Sequence, residues 1–224
     1  MKENIEKYAD ILEKSSLFRG FDHASAEKAL ILFGAEFESF KKGQLLHPPY
    51  NTFDRFGLVL SGHINVCSDD INGNRTIMAS VGPAVTFGES LAFLSLPEPS
   101  VYAYADEDSE VLWLKPDGLY ITDSAEPEFA LGLQRRFTAM IAERALNLNS
   151  RIQILSKLTL REKIIALLTS SMTDSKTDEI TLPFGRENMA SFLGTNRSAL
   201  SRELSRMKKD GILDFHKNNF KIQK

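Results

Sequence analysis

In a chain of 224 residues with a formal charge of -3, the stretch from Phe192 to Leu204, "FLGTNRSALSREL", places two arginines among hydroxyl side chains at helical spacing. With Arg197 at zero and about 100° per residue, Ser201, Ser205, Ser198 and Arg202 fall between roughly 40° and roughly 140°. Leu200, Leu204 and Met207 gather between about 280° and about 340°, and Glu203 lies at about 240°. One face is apolar and the other is arginine and serine. A guanidinium fork pairs bidentately with the O6 and N7 of guanine, and short hydroxyl side chains let a helix come close to base edges and phosphates. The first turn of such a helix, with Thr195 and Asn196, is suited to a phosphate. Thr195, Asn196, Arg197, Ser198, Ser201 and Arg202 are therefore expected to meet double-stranded DNA, joined by Lys217 from the segment that follows. The competing reading is a purely structural helix pair.

The charge distribution supports a polyanionic partner. Residues 183–224 carry nine Lys and Arg against four Asp and Glu, a local charge of +5, while residues 1–182 carry -8. Such asymmetry suggests that one part of the chain meets a polyanion and the other does something else.

The elements that must position these residues follow from pattern. "RENMASFLGTNRSALSRELSRM" is expected to form two helices, with Gly194 supplying the turn between them. "GILDFHKNNFKI" is expected to form a small hairpin after them. Upstream, Thr159 and Glu162 have the spacing of a capping box that restarts a helix after a hinge near Ser156 to Thr159. From Glu128 to Leu155 there is no proline and one glycine, which predicts a long helix. Its stripe of Phe129, Leu133, Phe137, Met140, Ile141, Leu148, Ile152 and Leu155 is expected to pair with the same stripe of a second copy. The alternative is that this helix packs along its own barrel. Between Phe37 and Leu114, glycines punctuate short apolar and β-branched runs, the pattern of an all-β roll, with Asn72-Gly73 as a hairpin turn. A short helical stretch, Ile5 to Lys14, precedes it.

Taken together, the β-roll, the long helix and "ENMASFLGTNRSALSREL" resemble a bacterial transcription regulator of the Crp/Fnr family, as does "FGE" at Phe87 to Glu89. The resemblance implies an α+β fold in three parts. Residues 1–125 would be an effector-sensing β-roll of the cyclic-nucleotide-binding type, 126–156 a dimerisation helix, and 157–224 a winged helix-turn-helix DNA-binding domain. It also implies a homodimer on a near-palindromic site, RNA polymerase as a partner if the protein activates, and a small-molecule effector. By the same resemblance the effector site would include Phe87, Gly88, Glu89, Ser100, Tyr102, Leu148 and Asn149. Pro99 stands where the family's nucleotide-binding members have an arginine that meets the cyclic phosphate, so the effector is expected to be something other than cyclic AMP. The other function class is a ligand-binding sensor whose helix-turn-helix has become a protein-interaction surface.

Other chemistries lack their residues. There is no G-x-S-x-G, H-E-x-x-H, Walker loop or C-x-x-C, and no enzyme activity is expected. Cys67 is the only cysteine, which excludes an internal disulfide and a multi-cysteine cluster. No cofactor is expected. Heme is the alternative to weigh, since some family members carry it. His63 and Cys67, four apart on a strand, would stand roughly 13 Å apart, too far to share one metal, and His47 could pair with either. No apolar run reaches the length of a membrane span and the N-terminus lacks the features of a signal peptide, so a cytoplasmic protein with no membrane partner is expected.

Overall fold

The computed structural model describes residues 2–73, 75–94, 100–120, 126–172, 179–182 and 185–223. The chain forms two compact units, Met1–Met140 and Ile141–Lys224, and the division falls inside the long helix.

In the first unit, the N-terminal helical stretch is broken at Tyr8 into α1 (Lys2–Lys7) and α2 (Ala9–Lys14). A third helix, α3 (His23–Leu32), is one the sequence pattern did not predict. Asp22 caps it, its side chain accepting from the Ser25 amide at 2.8 Å, and this Asp before an alanine-rich run was the available signal. The roll comprises β1 (Glu36–Phe40), β2 (Leu45–His47), β3 (Phe56–Ser61), β4 (Ile64–Asp69), β5 (Arg75–Val81), β6 (Thr86–Phe87), helix α4 (Glu89–Leu94), β7 (Val101–Ala105) and β8 (Ser109–Leu114). Two antiparallel sheets result, ordered β1-β8-β3-β6 and β2-β7-β4-β5. Alternate residues of facing strands fill the space between them: Val59, Ile64, Val66, Phe87, Ala103, Ala105, Val111 and Trp113 belong to one buried cluster. The β4–β5 hairpin turns at the expected glycine, where Gly73 adopts φ +78° and its amide donates to the Asp70 carbonyl.

Helix α5 (Pro127–Leu155) is 29 residues long, as its lack of breakers predicts. Its apolar stripe differs in exposure along its length. Leu133, Phe137 and Met140 are buried within the first unit, with the Phe137 ring stacked 4.6 Å from Phe93 and 5.6 Å from Phe56. Phe129 lies 5.8 Å from Phe21. Phe137 and Met140 thus meet residues of the roll. Leu148 and Ile152 are more than half exposed, and Ile141 is partly so. At about 100° per residue the exposed set lies roughly 80° around the helix from the buried one.

The second unit adds α6 (Leu160–Ser170), β9 (Glu179–Thr181), α7 (Arg186–Phe192), α8 (Arg197–Lys209), β10 (Leu213–His216) and β11 (Asn219–Ile222). The capping box of α6 forms: the Thr159 hydroxyl accepts from the Glu162 amide, and the Glu162 carboxylate accepts from the Thr159 amide. A three-stranded sheet, β10-β11-β9, backs the two helices α7 and α8. Ile164, Leu168, Met189, Leu193, Leu200, Leu204, Met207, Leu213 and Phe220 close a single core.

Candidate nucleic-acid interface

Gly194, at φ +65°, lets the chain leave α7 and enter α8 within a few residues, a conformation that a side chain with a Cβ resists. The Thr195 amide donates to the Ala190 carbonyl and Asn196 caps α8, its side-chain oxygen accepting from the Ala199 amide at 2.8 Å. Leu200, Leu204 and Met207 are fully buried, which fixes the opposite face outward. Arg197, Ser198, Ser201, Arg202 and Ser205 are all exposed on that face. Asn196 is exposed and Thr195 partly so. Thus six of the residues expected to meet DNA stand on one helix and its N-terminal turn.

Lys217 lies at the tip of the β10–β11 hairpin, exposed, and adopts φ +51°, the left-handed region that non-glycine residues rarely enter. The hairpin pairs His216 with Asn219, so Lys217 and Asn218 make the two-residue loop.

Three features of this unit were not visible from the α8 pattern alone. Glu187 on α7 brings a carboxylate to 4.0 Å from the Arg197 guanidinium, so the exposed face of α8 has an acidic neighbour from another helix. Arg186 lies over the rings of Phe215 and Phe220 at 4.8 and 4.7 Å, joining the start of α7 to the hairpin, and burial lowers its pKa. Lys208 pairs with Asp214 and holds that carboxyl below the usual carboxylate range.

The residues expected to surround an effector are gathered less completely. Phe87 is buried against Trp113, ring centroids 5.5 Å apart. Gly88 turns the chain at φ +81° beside the Phe53 ring. Glu89 is 4% exposed and accepts a hydrogen bond from the Thr86 hydroxyl, which itself stands 3.7 Å from the Met140 sulfur. Ser100 shares a 3.0 Å hydrogen bond with Ser68. Tyr102 is 4% exposed, on the strand face opposite Ala103 and Val101. Its hydroxyl donates to Asp69 at 2.8 Å, and the Arg75 guanidinium lies 5.4 Å from its ring. Leu148 and Asn149 are exposed residues of the second unit. Pro99 lies outside the described residues. Phe87 and Glu89 are thus buried on either side of the Gly88 turn, and Tyr102 is engaged with Asp69 and Arg75.

The residues weighed for heme each have another environment. His63 Nδ1 is 2.6 Å from Glu107. Cys67 is buried, which raises its thiol pKa. The His47 ring stacks on Phe53 at 3.5 Å and its Nε2 is 3.0 Å from the Asn51 carbonyl oxygen. Among the described residues, no three His, Cys, Asp or Glu are grouped to hold a metal ion. No helix among them is long and apolar enough to cross a membrane.

Residues 37–120 match the family model of the cyclic nucleotide-binding domain, and residues 162–224 that of the Crp-like helix-turn-helix domain. No curated protein matches the sequence. Among solved structures, a Ruegeria pomeroyi protein named for cyclic nucleotide binding is 21% identical, with 98% of this chain and 94% of that one covered at a TM-score of 0.54. The regulator CLP of Xanthomonas campestris, described as responsive to c-di-GMP, is 15% identical, with 91% of this chain and all of that one covered at a TM-score of 0.56. At these identities the likeness is one of fold.

Proposed function

We propose, since this chain is a Crp/Fnr-type regulator joining a cyclic nucleotide-binding domain to a Crp-like helix-turn-helix, that it reads DNA sequence through α8. One observation carries this reading: Arg197, Ser198, Ser201 and Arg202 are exposed together on a helix whose opposite face is fully buried. The protein acts as a homodimer through the exposed stripe of α5, Ile141, Leu148 and Ile152, on a near-palindromic site with half-site centres about 34 Å apart. Arg197 and Arg202 specify guanines, and Ser198 discriminates weakly between bases because its side chain is short. Thr195 and Asn196 meet phosphate at the helix N-terminus, and Lys217 meets it from the hairpin. If the protein activates, RNA polymerase is the further partner.

Selection of binding sites from random duplexes tests the reading. Arg202→Ala is expected to relax preference at one base per half-site, a loss of about 1–3 kcal/mol in discrimination. An unchanged selected motif would move α8 out of the reader role and favour a protein-interaction surface instead.

The effector is a small molecule other than cyclic AMP, bound near the Phe87-Gly88-Glu89 turn. Two points support this: Pro99 offers no cation for a phosphate, and the Glu89 carboxylate is buried and already accepts from Thr86. Calorimetry is expected to show cyclic AMP and cyclic GMP binding no tighter than about millimolar. A micromolar dissociation constant for either would overturn this part.

A further inference from the structure

A reader helix must be held at one rotation about its axis as well as in one place, because its two arginines discriminate only when both reach base edges together. The apolar face of α8 provides packing, but the hydrophobic effect is non-directional and sets rotation only through shape. A directional contact lies on the flank. Arg161, near the start of α6, places Nε 2.8 Å from Glu203 Oε1 and Nη2 2.8 Å from Asp210 Oδ2. The two carboxylates are seven residues apart, at about 240° and about 220° when Arg197 is at zero, on the side opposite Ser201 and Ser205. Glu203 is only 16% exposed and Arg161 35%, so water and salt screen this pair less than a surface pair. Arg206 stands 3.7 Å from the other Glu203 oxygen and closes the group.

We infer that Arg161 is a positioning residue that sets the rotation of α8, and through it base discrimination, without itself meeting DNA. The inference rests on the reading of α8 as a DNA reader. A turn of about 20° would carry a guanidinium roughly 8 Å from the helix axis through about 3 Å, enough to break a bidentate pair. Without Arg161, the ion-pair partner left to Glu203 among the described residues is Arg206, on its own helix, and the tie between α6 and α8 is apolar packing alone.

The test compares the full-length wild type with Arg161→Met and Arg161→Lys. Anisotropy titrations use two duplexes of equal length, the selected site and its scrambled version, over a series of salt concentrations. Arg161→Met is expected to reduce the ratio of specific to scrambled affinity roughly tenfold, with the salt slope on the scrambled duplex unchanged. Arg161→Lys keeps the charge but loses the planar fork, so the ratio is expected to fall between the two. If Arg161→Met fails to fold, Arg161→Lys decides: a wild-type ratio in it overturns the inference. A wild-type ratio in Arg161→Met does the same, as does a salt slope lowered by about one per subunit, which would make Arg161 a phosphate contact. If instead the wild type cannot tell the two duplexes apart, the reading of α8 fails first and takes the inference with it.

Discussion

The chain passes through a glycine in the left-handed region both before α8, at Gly194, and before α4, at Gly88, and the polar residues that follow are disposed in opposite ways. After Gly194 the arginines and serines of α8 go to the solvent, because Leu200, Leu204 and Met207 occupy the whole inner face. After Gly88, Glu89 goes inward, and its carboxylate accepts from Thr86 in its own domain. A burying cost is acceptable for a carboxylate only when a donor answers it. An exposed cationic stripe over a closed core keeps its charge open to solvent, whereas the buried carboxylate has its donor inside the fold. The two halves of α5 repeat the contrast within one helix: Phe137 is packed against Phe93 and Phe56, and Leu148 faces solvent.

The largest effect should come from confusing these two faces. Phe137→Ala is expected to cost about 3–5 kcal/mol in urea unfolding of the first unit, since it removes a buried ring from an aromatic cluster. Leu148→Asp is expected to leave that transition in place and to lower the mass measured by sedimentation to that of a monomer. A dimeric Leu148→Asp would place the seam elsewhere, and an unaltered melt for Phe137→Ala would remove the distinction between the faces.

A smaller effect separates base reading from backbone contact within the second unit. Lys217→Ala should weaken binding to all duplexes alike and reduce the salt slope by about one per subunit, in contrast to the base-specific change at Arg202. A change in the selected motif with Lys217→Ala would instead make the hairpin a reader.

The smallest concerns protons in the first unit. Burial against Phe53 lowers the His47 pKa below its ordinary value, so the folded state holds the neutral ring while the unfolded chain binds a proton more readily. The sign follows from linkage: this contribution to stability is fully present above the unfolded pKa of about 6.5 and is lost as pH falls through the folded value. Denaturant midpoints between pH 7.5 and 5 should therefore decline, and His47→Gln should flatten that decline. Equal slopes for the two proteins would show that the stacked ring is not what couples this unit to pH.

Residue pattern was enough for the features that depend on neighbours within about four residues. The two faces of α8, the turn at Gly194, the capping box of Thr159 and Glu162, and the turn at Gly73 all follow from helical period and local backbone chemistry. Packing between distant segments selected which apolar face of α5 is covered, because periodicity marks Phe137 and Ile141 as apolar but cannot say which one meets Phe93 and Phe56. It also set Tyr102 against Asp69 and Arg75, since strand alternation gives two faces and only sheet pairing assigns their neighbours. The approach of Glu187 to Arg197, and of Arg161 to Glu203 and Asp210, likewise required the packed arrangement of helices. Local pattern fixes which side chains share a face; only the closing of the core settles what each face meets.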